Sequence, residues 1–209
     1  MGKLFCSCKH EKIILLLWCI SKMKIMEQKN ENIKQMLNFF AAKCGGEIDK
    51  VKALKLIWIA DRLHIRHHAR TISGDCYYAM RMGAVPSEAK SITACCNTIS
   101  KSADANTSCF SETDIKCMEL TFQTFGSLDW NDLSAYSHNF PEWKRYESFL
   151  AENPNSRKKM EIDDFFCNPE NIDGKLTDEQ LHFFDESDEQ LNLCKEIYKE
   201  NKAIEGLWN

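Results

Sequence analysis

Asp61, His64 and His68 stand three and four residues apart, so on a helix they share one face and read D-x-x-H-x-x-x-H. A carboxylate and two imidazoles in that arrangement are the donors of a divalent metal site or the partners of an acid-base pair. His67 and His138 add two further imidazoles. One reading is therefore a metal-dependent or acid-base enzyme using Asp61, His64 and His138. The preferred reading is structural: Asp61 orders Arg70 or a backbone amide in the following turn, and His64 sits favourably against the dipole at the helix end. Neither a nucleophile elbow, a Walker loop, an H-E-x-x-H nor a dinucleotide fingerprint occurs. The sequence thus assigns no catalytic residue and no metal ligand, and calls for no cofactor.

Eleven cysteines, an odd number, are scattered from Cys6 to Cys194 without a C-x-x-C. The close pairs are Cys6 with Cys8 and Cys95 with Cys96. Reduced thiols in a cytoplasm fit this scatter better than a disulfide framework or a structural zinc site. Tyr77, Tyr78, Arg81 and Met82 have the types that stack on bases. The formal net charge of -4 nevertheless gives no footprint for nucleic acid or an anionic membrane, and aromatics at strand spacing are more often core or interface.

These residues need elements to hold them. Ile33, Met36, Leu37, Phe40 and Ala41 recur at helical spacing from Asn32, and Gly45-Gly46 ends the run. Asp49 caps a second helix whose Val51, Leu54, Leu56, Ile57, Trp58, Ile59, Ala60 and Leu63 leave almost no polar face, so it must be central and buried. Lys55, Asp61, Arg62 and His64 interrupt that apolar segment and require partners, because buried unpaired charge is costly. Gly74-Asp75 and Gly83 then bracket Cys76 to Met82, a run with strand alternation that predicts a small hairpin. Ser87-Glu88 starts a third helix, and the polar stretch from Ser100 to Ser108 has the composition of a mobile loop. Ser111 with Asp114, and later Thr177 with Gln180, have capping-box spacing. The first opens a helix carrying Ile115, Met118, Phe122 and Phe125, and a further helix spans Asp129 to His138. The second opens a C-terminal helical face of Leu181, Phe184, Leu191, Cys194 and Tyr198 with an acidic opposite side.

The N-terminus imitates a signal peptide, with Lys3, Lys9 and Lys12 before the apolar run Ile13 to Ile20. The run is too short to span a bilayer, where about 20 residues are needed. An overextended translation start, with Met23 or Met26 as initiator, is the expectation.

Taken in order, Lys55-Leu56-Ile57-Trp58-Ile59-Ala60-Asp61-Arg62-Leu63-His64, Arg70, Ile72-Ser73-Gly74-Asp75-Cys76-Tyr77-Tyr78-Ala79 and Gly83-Ala84-Val85-Pro86-Ser87 resemble the Panacea domain. That domain is found in SocA-like antitoxins and in phage-associated GepA-like proteins. Ser111-Glu112, Phe125-Gly126, Leu133-Ser134, Ser137-His138 and Trp143 look like the family's later helices. Ala69, Thr71 and Ala84 depart from it, standing where the family usually has Gly, Pro and Pro.

The resemblance implies an antitoxin of a bacterial type II toxin–antitoxin system. Such a protein neutralises a co-encoded cognate toxin by direct binding, and some members also deliver the toxin to a ClpXP-type protease. It further implies that Lys55, Asp61, Arg62, Arg70 and Asp75 form an internal network, pairing largely among themselves, that holds the hairpin onto the central helix. The toxin-reading surface would lie on the hairpin, the Ser100 loop or the acidic tail helix. The expected fold is mainly α: a single compact helical domain with a small β-hairpin inserted after the central buried helix, plus a C-terminal helix. The expected division is an N-terminal extension over 1–29, the Panacea domain over 30–150 and a C-terminal extension over 151–209, in a cytoplasmic protein that is not an enzyme.

Overall fold

A computed structural model describes the backbone of residues 4–207 and the side chains of residues 20–206. The apolar run of the signal-peptide-like segment lies, up to residue 19, outside the described side chains.

The first helix, α1, spans Leu4–Lys43. It starts well before the helix expected from Asn32, because no glycine or proline interrupts residues 4 to 43, and within the polar stretch Lys29 pairs with Asp75 at 3.8 Å and Asn32 donates to the Ile72 carbonyl at 3.3 Å. Its buried face is the expected one, with Ile33, Met36, Leu37, Phe40 and Ala41 all inside. Gly45 and Gly46, at φ 86° and 115°, end it, and β1 (Glu47–Asp49) follows. Asp49 accepts from the Lys52 amide at 2.9 Å and caps α2 (Lys50–His68). Every residue of α2 from Ala53 to Arg66 is buried. The hairpin comes next, β2 (Tyr77–Met80) and β3 (Gly83–Pro86), antiparallel with Tyr77 opposite Pro86 and Met80 opposite Gly83.

The remaining elements wrap α2. They are α3 (Ser87–Ile92), β4 (Thr98–Ser100), α4 (Glu112–Phe125), α5 (Trp130–Ser137), α6 (Pro141–Lys144), α7 (Glu147–Glu152), β5 (Lys158–Lys159), a 3-10 turn at Ile162–Phe166, α8 (Asp178–Leu181) and α9 (Asp188–Leu207). Helices α1, α4, α5 and α9 pack on α2 from different sides. The fold is mainly α, with the hairpin after the central helix and a C-terminal helix, as expected.

Three features were not expected. β1 pairs with β4, Ile48 opposite Ile99, and β5 adds a third strand to the hairpin beside β2. The stretch after Ser100 is tied to α1 rather than loose: Gln35 accepts from the Asn106 amide at 2.9 Å and Asn38 from the Ser102 amide at 3.0 Å. The tail helix is broken between Leu181 and Asp188, where Phe184 turns into the core.

Candidate binding site at the hairpin tip

The charges of α2 are the scaffold of the site, and each finds its own partner. Asp61 Oδ1 accepts from the amides of Ile72 at 2.7 Å and Ser73 at 3.0 Å, while its Oδ2 accepts from the Ser73 and Tyr77 hydroxyls. Burial pushes this carboxyl up to about 6 against the pull of those four donors, so it is ionised at neutral pH. Its negative charge binds the strand-entry turn and the first residue of β2 to the central helix. Ser73 Oγ in turn accepts from the Asp75 amide at 2.9 Å. The Asp75 carboxylate accepts from the amides of Glu88 and Ala89, each at 3.0 Å, and so caps α3 from thirteen residues away.

Lys55 works on the other end of the hairpin. Buried among apolar side chains, its amine has a pKa lowered to about 7 by burial, and it donates to the carbonyls of Met82 and, at 2.7 Å, Ala84. Trp143 Nε1 donates to the Met80 carbonyl at 2.8 Å, and His138 stacks on the Trp143 ring at 3.9 Å. Burial first, and the Lys55 charge second, hold the His138 ring down to about 4, so it is neutral. Gly83 lies at φ 93° directly against Ser137 and Lys55. The two strand ends are therefore gripped from beneath by α2, α5 and α6.

Arg62 and Arg66, four apart on α2, face away from the hairpin. Arg62 donates to Glu142 at 3.0 Å and to the Cys167 carbonyl at 2.6 Å, with its guanidinium between the Phe140 and Phe184 rings, 4.5 Å from each. Arg66 donates to Glu186 at 2.9 Å and to the carbonyls of Phe165 and Phe184. These two cations bind the segment after residue 150 to the core.

The expected mutual pairing of Lys55, Asp61, Arg62, Arg70 and Asp75 does not form. Arg70 instead donates to Asp114 at 2.8 Å, and the bases otherwise reach carbonyls or glutamates. The reason is geometric: Lys55, Asp61 and Arg62 point in different directions from α2, Arg70 and Asp75 lie beyond its end, and each meets whichever element packs there. Asp61, His64 and His138 do not gather either. Asp61 faces the hairpin, His138 lies under Trp143, and His64 Nδ1 donates to the Arg70 carbonyl at 2.8 Å on the α4 side.

Residues 54–144 match the family described as Antitoxin SocA-like, Panacea domain. The chain carries a Panacea domain. It begins inside α2 and ends with α6, and Lys55, Trp58, Asp61, Arg62, His64, Arg70, Gly74, Asp75, Tyr77, Gly83, Pro86, Ser87, Ser137, His138 and Trp143 all fall within it. No curated protein and no solved structure matches the chain.

In this Panacea domain the gripped hairpin presents its turn outward. Arg81 and Met82 are exposed, and Trp130 at the start of α5 is 42% exposed. The three line a cleft of about 470 Å³ with Ser134 and His138, while Arg81 and Met82 also border a second groove of about 490 Å³ floored by Leu54 and Val85. Trp130 and Arg81 escaped the sequence reading as a pair, because nothing local signals that α5 packs under the hairpin. Among the described residues no helix is long and apolar enough to cross a membrane.

Proposed function

We propose that this chain is a cytoplasmic antitoxin that neutralises a co-encoded toxin by direct contact, and that the hairpin tip with Trp130 is the surface that reads the toxin. The domain match supports the antitoxin role. The observation that carries the surface is the contrast between a rigid seat and an exposed tip: buried Lys55 and Trp143 hold the hairpin backbone, with Gly83 set against Ser137, beneath exposed Arg81 and Met82 and beside exposed Trp130. Arg and Trp are enriched where protein interfaces concentrate their energy, Met is enriched in interfaces generally, and a pre-fixed backbone lowers the ordering cost of binding. On this reading the protein binds rather than catalyses.

Co-expression with the gene encoded beside it tests the reading. Growth arrest by the neighbour alone, relieved by this chain and not by its Arg81→Glu, Trp130→Ala variant, is the expected result. A neighbour that is harmless alone, or that stays toxic beside the wild-type chain, overturns it. Delivery to a ClpXP-type protease would be an added activity; relief of toxicity that disappears in a host lacking the protease would make delivery, not direct inhibition, the mechanism.

A further inference from the structure

Four side chains outside the hairpin seat meet where the end of α2 faces α4. His64 and His68 lie one turn apart on α2, and Asp114 and Cys117 nearly one turn apart on α4. One ring nitrogen of each histidine and the Cys117 Sγ lie within 4.8 Å of one another, and the two imidazole centroids are 4.5 Å apart. Asp114 sets a carboxylate oxygen 2.9 Å from His64 Nε2. Two donors from each of two facing helices is how packed helices form metal centres.

The orientation of His64 points to a ligand. Its Nδ1 meets the Arg70 carbonyl, which can only accept, so Nδ1 carries the proton and a neutral ring leaves its lone pair on Nε2. The ring is fully buried, and Nε2 has no hydrogen-bond partner among the described residues. The nearby Asp114 oxygen is close enough but not placed to complete one. Asp114 Oδ2 accepts from the Ser111 amide at 2.9 Å and its Oδ1 from Arg70 at 2.8 Å, which fixes the carboxylate beside the ring. A buried ring nitrogen without a hydrogen bond thus faces a thiol, a second imidazole and a carboxylate oxygen.

We propose that His64, His68, Cys117 and Asp114 bind one zinc-class divalent transition-metal ion. Two imidazoles and a thiolate select such an ion over magnesium or calcium, which prefer oxygen. Thiolate and carboxylate together balance its charge. The basic side chains facing the group are Arg70 on Asp114, Lys116 and His67; the first two are exposed, and His67 is turned toward Glu186. A tetrahedral ion asks for donors roughly 3.5 Å apart. His68, exposed at its outer side, has the rotameric freedom to close that gap. Bound there, the ion would pin the last turn of α2 to α4.

Titrating the metal-stripped full chain with cobalt(II) alone tests the site. Expected is one equivalent bound, with the visible absorption of tetrahedral cobalt and a near-ultraviolet thiolate-to-metal band, both displaced by zinc. His68→Ala should weaken binding at least about tenfold without changing the far-UV spectrum or Tm of the stripped protein. Cys117→Ser should remove the near-ultraviolet band. No binding by the wild-type chain overturns the proposal, as does unchanged affinity in His68→Ala. So does a near-ultraviolet band that survives Cys117→Ser and vanishes in Cys95→Ser, Cys96→Ser. Should Cys117→Ser not fold, the His68→Ala arm still decides.

Discussion

Gly83 approaches Ser137 so closely that a Cβ on the glycine would stand 1.8 Å from the Ser137 hydroxyl oxygen. The hairpin turn is seated backbone-first on α5, at a φ of 93° that side chains rarely tolerate. Gly83→Ala combines backbone strain with overlap and should cost about 3 kcal/mol or more. Ser137→Ala removes only a hydroxyl bonded to the Ser134 carbonyl at 2.7 Å and should cost about 1 kcal/mol. Urea unfolding reads both. A Gly83→Ala protein with the wild-type midpoint would mean that the tip does not sit on α5 in this way.

Asp61→Ala strands two amides and two hydroxyls around a buried hole and should cost roughly 2 to 4 kcal/mol. Neutralisation should then fall only as far as the folded fraction falls. A variant that melts like wild type yet fails to neutralise would place Asp61 in a contact surface, against its fully buried position.

Ala69 ends α2 in the left-handed region, at φ 54° and ψ 24°, with its amide donating to the Ile65 carbonyl. A side chain there is strained, whereas glycine is not. Ala69→Gly should raise stability by about 0.5 to 1 kcal/mol, the relieved strain exceeding the added entropy of the unfolded chain. A lower Tm would contradict this.

Glu186 accepts from Arg66 and from His67, and its carboxyl is held down at about 2: burial opposes this, and hydrogen bonds to His67 and Arg66 with the Arg66 charge overcome it. A folded-state value below the unfolded one contributes stability that is complete above the ordinary 4.5 and disappears as pH falls through about 2. The stability difference between wild type and Glu186→Gln should therefore be constant at neutral pH and shrink across that acid window. A difference that does not change between pH 5 and pH 2 would deny the Arg66 pair its role.

What the sequence made legible was local or periodic. Asp49, Ser111 with Asp114, and Thr177 with Gln180 act three residues ahead, and all three caps form. The largely apolar character of α2 required a central place, and Gly74 marked the entry to the hairpin; Gly83, expected to close it, sits at its turn as the first residue of β3. Partners across the fold were not legible. Arg62 meets Glu142 eighty residues on, and Arg66 meets Glu186 a hundred and twenty on. Arg66 sits in an Arg-His-His run that resembles a solvated helix end, though its spacing of four from Arg62 placed both on one face. His64 and His68 shared a face as their spacing required, but Asp61 turned to the hairpin, and the donors beside them, Asp114 and Cys117, came from α4. β1, β4 and β5 are two or three residues long, too short to carry alternation.

The most direct test is the dissociation constant between this chain and the purified product of the neighbouring gene, measured for wild type and for Arg81→Glu, Trp130→Ala with equal Tm. The account predicts a stable complex for wild type and, for the variant, a loss of at least about a hundredfold, as expected when hot-spot residues are removed. Equal affinity for both proteins would contradict the hairpin tip as the toxin-reading surface, and no complex with the wild-type chain would contradict neutralisation by direct binding.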